Sequence, residues 1–325
     1  MRPFLLVAGA IALAMGCDGG CGDGSGGGTG GGGTVTGTGG GPASSCVGLP
    51  VPGQDHVLAV DVGGVQREAV IHLPPGYDAT QPLPVVVGFH FFSGTPSLLM
   101  ALTDLDEAAE AAGTILALPA GVDGSFNAGK CCGSAWANDV DDVAFTAALL
   151  DAIEAQYCVR ADRVLVTGMS NGALMAHRVG CELADRISGI APVAGPLHIE
   201  GSCSPSEPIH VLQFHGTGDT QMPYNGGVGV PPVPVPGDLT FMSIPDSMEI
   251  WRTALGCSGA TVDTYVNSDV ICERWTGCSG GAHVELCTVD DGGHTWPGGS
   301  FPVVFGKTST DLAAGQYMTD FLSSL

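Results

Sequence analysis

Five short apolar runs restrict this chain more than any other feature: Val85 to His90, Ile115 to Leu118, Val164 to Thr167, Ile190 to Val193 and Ile209 to Phe214. Each is too short for a helix that buries a stripe, and none alternates with polar residues. A strand with one wet face must alternate, so unbroken runs suit strands covered on both faces, as in a parallel sheet sandwiched by helices. Between the runs, Leu98 to Ala112 and Val140 to Tyr157 have helical composition, and Asn138-Asp139 before the second offers an N-cap. Ahead of them, Leu58 to Val62 and Val65 to Leu73 are β-rich and separated only by Gly63-Gly64, a two-residue hairpin signal. The pattern predicts an α/β fold with a mostly parallel, doubly wound sheet and an antiparallel N-terminal hairpin.

The ends of the chain are organised differently. Residues 1–16 combine Arg2 with an apolar stretch from Phe4 to Gly16, the pattern of a secretory signal peptide. That stretch is short of the roughly 20 residues a membrane span needs. Leu13-Ala14-Met15-Gly16-Cys17 resembles a bacterial lipobox, with its Leu one place further out than usual, and it implies cleavage before Cys17 and lipidation of that cysteine. Membrane contact is expected only through that lipid. Residues 18–45 hold 15 glycines and no apolar periodicity, so 17–45 reads as a flexible tether. Residues 46–325 are then one catalytic-sized domain.

Composition narrows the function. The 325 residues carry a formal charge of −23 with only 10 Lys and Arg, which leaves no basic face for nucleic acid. Ten cysteines lie between Cys46 and Cys287, and an even number behind a signal peptide predicts disulfides in an extracytoplasmic protein. Their connectivity does not follow from counting, and Cys21 is left over. Cys272, Cys278, His283 and Cys287 match no common zinc spacing, so no metal is expected. Asp139, Asp141 and Asp142 read as the acidic opening of a helix rather than a calcium loop.

The chemistry starts at Val164 to Ala173, where a strand runs through Gly168-Met169-Ser170-Asn171-Gly172 into a helical stretch ending at Leu183. G-x-S-x-G is a weak motif alone, and Gly277 to Gly281 repeats it around Ser279. Only Ser170 has the strand before and the helix after that a nucleophile elbow requires. A serine hydroxyl needs a base, and on such a sheet the carboxylate and histidine follow in that order. His215-Gly216-Thr217-Gly218-Asp219 ends a predicted strand, and His294 lies in Gly292-Gly293-His294-Thr295-Trp296-Pro297-Gly298 after another. His283 opens that last strand and reads as structural.

These three motifs, with Cys131-Cys132-Gly133-Ser134-Ala135-Trp136 and Pro223-Tyr224-Asn225-Gly226-Gly227, resemble the extracellular esterases grouped with poly(3-hydroxybutyrate) depolymerases and feruloyl esterases, of α/β-hydrolase fold. The resemblance covers about residues 55 to 322. It implies Ser170 as nucleophile, His294 as base and Asp219 as its orienter, with no cofactor. Members commonly read His-Gly where this chain has His90-Phe91-Phe92. The oxyanion donors are expected to be the N–H of Asn171 and that of Phe91, with Phe92 as the alternative. Phe92, Trp136 and Trp296 are candidate substrate-binding residues, the tryptophans standing equally for core packing. Pro231-Pro232-Val233-Pro234-Val235-Pro236 reads as a stiff loop and a candidate substrate-facing lid. The leading expectation is an exported serine esterase on a polymeric or oligomeric ester, first a poly(3-hydroxybutyrate)-type polyester, alternatively a feruloyl or acetylxylan-type ester. A serine peptidase is a rival on the same fold, and a catalytically silent surface binding protein is the rival of another class.

Overall fold

The computed structural model describes Cys46, Leu49 and residues 52–325. The signal segment, Cys17, Cys21 and the tether lie outside the described residues.

Ten strands form one mixed sheet. The chain opens with β1 (Asp55–Val62) and β2 (Val65–His72), paired antiparallel across Gly63 and Gly64, both at positive φ as a tight hairpin turn demands. The centre is parallel: β3 (Leu83–Phe89), β4 (Ile115–Pro119), β5 (Val159–Met169), β6 (Gly189–Val193), β7 (His210–Gly216) and β12 (Val284–Val289). Two further strands, β10 (Thr261–Asn267) and β11 (Val270–Trp275), add a second antiparallel edge beside β12. The order is β1-β2-β4-β3-β5-β6-β7-β12-β11-β10. Gly227–Val228 (β8) and Thr240–Phe241 (β9) form a separate small ribbon.

Helices cover both faces. On one side lie α4 (Asp142–Gln156), α5 (Asn171–Glu182) and α6 (Ile244–Ala254), packed through Phe145, Leu174 and Trp251. On the other lie α1 (Pro96–Leu102), α2 (Leu105–Ala112) and α7 (Ala314–Ser324), packed through Leu99, Leu105 and Met318. The unbroken runs divide between the two cores by strand alternation: Val85 and Val87 enter the first, Val86 the second, and all three are fully buried. A short helix, α3 (Gly133–Ala137), precedes α4.

Several local expectations need correction. The stretch Leu98 to Ala112 is two helices, because Asp104 breaks it and turns its carboxylate to the start of α7, accepting from the N–H groups of Gly315 at 3.0 Å and Gln316 at 3.2 Å. Asn138-Asp139 is no N-cap: Asn138 closes α3, and α4 is capped by Asp141, whose carboxylate accepts from Ala144 N–H at 2.8 Å. Asp142 stands in the first turn of α4, as the acidic opening predicted. It is fully buried, paired with Arg67 at 2.8 Å and accepting from Asn127 N–H at 2.7 Å. The ten cysteines pair as Cys46–Cys158, Cys131–Cys132, Cys181–Cys203, Cys257–Cys278 and Cys272–Cys287.

Candidate active site

Ser170 sits between the last residue of β5 and the first of α5, at φ 58° and ψ −119°. A non-glycine residue is held there only by its surroundings. The flanking glycines explain how. A Cβ on Gly172 would lie 2.1 Å from the Phe89 carbonyl oxygen, and one on Gly168 would lie 2.5 Å from that of Gly172. The chain therefore turns sharply against β3 because both neighbours lack side chains.

Asp219 follows β7 and His294 follows β12. These strands are parallel neighbours, so both loops leave the same sheet edge as the Ser170 turn. The loops are laced together: Thr217 N–H donates to Val289 O and Gly218 N–H to Gly292 O, both at 2.9 Å. His294 Nδ1–H donates to Asp219 Oδ2 at 2.8 Å, and Asp219 Oδ1 accepts from the N–H groups of Gln221 at 2.8 Å and Met222 at 3.0 Å. Burial works against charge on Asp219, but the two histidines beside it, His294 and His215, together hold its carboxyl well below the usual carboxylate range. His294 Nε2 is thereby left as the free ring nitrogen.

Ser170, Asn171 and His294 share the wall of one cavity of about 320 Å³. Phe91 and Phe92 line it too, and neither their backbone N–H groups nor that of Asn171 has an acceptor among the described residues. The His90 ring organises this corner. Its Nδ1–H donates to Phe91 O at 2.9 Å while its Nε2 accepts from Gly121 N–H at 3.0 Å, and burial pushes its pKa down, keeping it neutral. The bond to Phe91 O fixes the peptide plane that carries the Phe92 N–H.

Among the described residues, no Asp, Glu, Lys or Arg lines the cavity. Pro231, Pro232, Val233 and Val235 do, so the proline loop faces the cavity. Phe301, Pro302 and Phe305 form a wall that sequence reading missed. The signal was the run Phe301-Pro302-Val303-Val304-Phe305, apolar residues inside a loop with no element to bury them. One segment joins the two halves of the site. Asn171 exchanges two hydrogen bonds with the Phe126 backbone, at 2.8 and 2.9 Å. A few residues on, Gly133 N–H donates to Pro236 O at 2.8 Å, and Cys131 bridges to Gly237.

Trp296 requires correction as a substrate-binding candidate. It is fully buried, its indole N–H donates to Asp104 Oδ1 at 2.7 Å, and it packs in the core beside Met318. Trp136, 38% exposed, is not part of the cavity wall. His283 precedes β12, at the end of that strand opposite His294, against His210 and Phe321. Ser279 lies in one 3-10 turn beside the Cys257–Cys278 bridge, away from the cavity. Among the described residues, only Cys272, Glu285 and Cys287 bring potential metal ligands together, and their two sulfurs are joined in a disulfide.

No protein-family model matches the chain. Individual proteins do. Feruloyl esterase B of Piromyces equi is 32% identical over 236 residues, which are 70% of this chain but 42% of that protein, so the chain spans less than half of that relative's length. NocK of Nocardia uniformis subsp. tsuyamanensis, described as a candidate esterase, is 29% identical over 81% of both chains. Among solved structures, the acetyl xylan esterase from Aspergillus awamori superposes with a TM-score of 0.54 over 74% of this chain and 94% of its own, at 14% identity, a likeness of fold. The sheet order, the serine turn and this superposition give the chain the α/β-hydrolase fold, and in sequence it is similar to the feruloyl esterases.

Proposed function

We propose that the chain is an exported serine hydrolase of carboxylic esters. One observation carries the reading: Ser170, strained at the head of α5, shares a cavity wall with His294, whose other ring nitrogen is held by Asp219. In this reading His294 Nε2 takes the Ser170 proton as Oγ attacks the ester carbon, and the N–H groups of Asn171 and Phe91 or Phe92 receive the developing oxyanion. The imidazolium gives its proton to the departing alcohol. Water, deprotonated by the same ring, then releases the acid from Ser170.

The uncharged, aromatic and proline-rich wall supports an ester of an apolar or aromatic acid. The similarity to feruloyl esterases favours an ester of a phenolic acid such as ferulic acid as the substrate. A second reading, a hydroxybutyrate-type polyester, rests on the apolar rim, where Val233, Val303 and Val304 are 51%, 93% and 68% exposed beside the cavity. Five disulfides favour an oxidising compartment. The localisation proposed is extracytoplasmic, with Cys17 as a lipid anchor. Matched assays on methyl ferulate and soluble hydroxybutyrate oligomers decide the substrate, with Ser170→Ala as the blank. Faster turnover of methyl ferulate supports the phenolic ester, and faster turnover of the oligomers overturns it in favour of the polyester. Equal turnover by Ser170→Ala would sink both.

A further inference from the structure

The mechanism above uses one of the two histidines that touch Asp219. The other, His215, stands one residue before the end of β7 with a side chain wholly buried. Its Nε2 lies 2.8 Å from the Met222 carbonyl oxygen and 3.3 Å from Asp219 Oδ2, the oxygen that also accepts from His294. Both of these neighbours are acceptors, so Nε2 carries the proton. The opposite nitrogen, Nδ1, is buried without a hydrogen-bond partner among the described residues. Leaving a ring nitrogen unsatisfied in the interior is costly, and an apolar ring of the same shape would avoid that cost. What distinguishes a histidine here is the single N–H. That group closes a ring of contacts: Met222 donates its N–H to Asp219 Oδ1 at 3.0 Å and gives its carbonyl to His215. Carboxylate and turn are braced from one point.

We propose that His215 is a positioning residue that holds Asp219 in the orientation His294 requires, an inference that rests on the reading of Ser170, Asp219 and His294 as one catalytic group. The full chain is assayed with p-nitrophenyl butyrate, and Ser170 is labelled with a fluorophosphonate. His215→Gln keeps an N–H donor at the reach of Nε2 and should hold kcat within about threefold of the parent. His215→Phe keeps the ring and removes the donor, and His215→Asn shortens its reach. Both should lose about tenfold or more in kcat with KM within about threefold, the loss of one charge-assisted hydrogen bond, and labelling should slow in step. If the Phe variant fails to fold, the Asn variant carries the comparison. Parent-like kcat in the Phe or Asn variant, or a loss in His215→Gln equal to theirs, overturns the proposal. A parent enzyme whose turnover survives Ser170→Ala overturns the catalytic reading itself, a result told apart by that single control.

Discussion

The two walls of the cavity are built in opposite ways. On the catalytic side of the proposed site the path of the chain places each group: Ser170 at a turn that glycine at 168 and 172 permits, Asp219 and His294 in two loops laced across neighbouring strands. On the substrate side, Pro231, Pro232, Val233 and Val235 with Phe301, Pro302 and Phe305 supply apolar side chains, and Val303 beside them stands in water at 93% exposure. The first side tolerates few residues at each position, because a Cβ or a shifted strand end would move the reacting atoms. The second asks only for apolar bulk of suitable shape. In the function proposed above, chemistry is therefore set by the path of the chain, and selectivity by replaceable side chains on loops.

Substitutions can break that contrast. Ser170→Ala should cost about 10⁴-fold or more in kcat/KM, while Ser279→Ala stays within about twofold, read with p-nitrophenyl butyrate. Comparable losses in the two variants would dissolve the distinction between the motifs. Gly172→Ala places a methyl group against Phe89 O and should lose about 3 kcal/mol or more in urea unfolding. A loss under about 1 kcal/mol would mean the turn is not pinned by β3.

Acid probes the packing beneath the elbow. His177 on α5 is fully buried, with Trp251 Nε1–H donating to its Nδ1 at 3.0 Å and Gln213 Oε1 at 3.0 Å from its Nε2. Burial pushes its pKa down to about 4. An unfolded chain protonates this ring near the ordinary value of about 6.5, so between those pH values the unfolded state binds the extra proton and folding stability falls as pH falls. The Tm of His177→Gln should decline less steeply than the parent's across that window. His210, pushed down to about 4 by burial, then by His283 and Arg274, stays in both proteins and keeps some slope. Identical slopes would show that His177 is not buried neutral. The smallest effect belongs to the substrate side: Val303→Ser with Val304→Ser should change kcat/KM on dissolved p-nitrophenyl butyrate by less than about twofold, since neither valine is part of the cavity wall. The same pair should lower adsorption to a hydroxybutyrate film, and unchanged adsorption would remove the rim from the polyester reading.

The same contrast decides what sequence can reveal. The parallel strands and the order of Ser170, Asp219 and His294 are legible because they depend on apolar runs and on glycines that backbone geometry demands. The edge strands β10 and β11 were not seen, because β10 is mostly exposed and carries no apolar alternation. Asp142 with Arg67, Asp104 with Trp296, and His215 with Met222 join residues 75, 192 and 7 apart, and the long pairs leave no local pattern at all. Trp296 stands two residues after His294, so nearness in sequence suggested a substrate wall. Its ring points instead into the opposite core.

The segment from Phe126 to Gly133 works as a strut between the two sides, gripping Asn171 at one end and Pro236 and Gly237 at the other. For anyone recombining such enzymes this fixes the unit of exchange. A foreign proline loop spliced in at residues 229–238 would arrive without its matching footing, and the misfit would be felt at the serine turn. With Ser170 as the proposed nucleophile, loop and strut should be exchanged together, as two segments of the gene, for a change of substrate to leave the rate of bond cleavage intact.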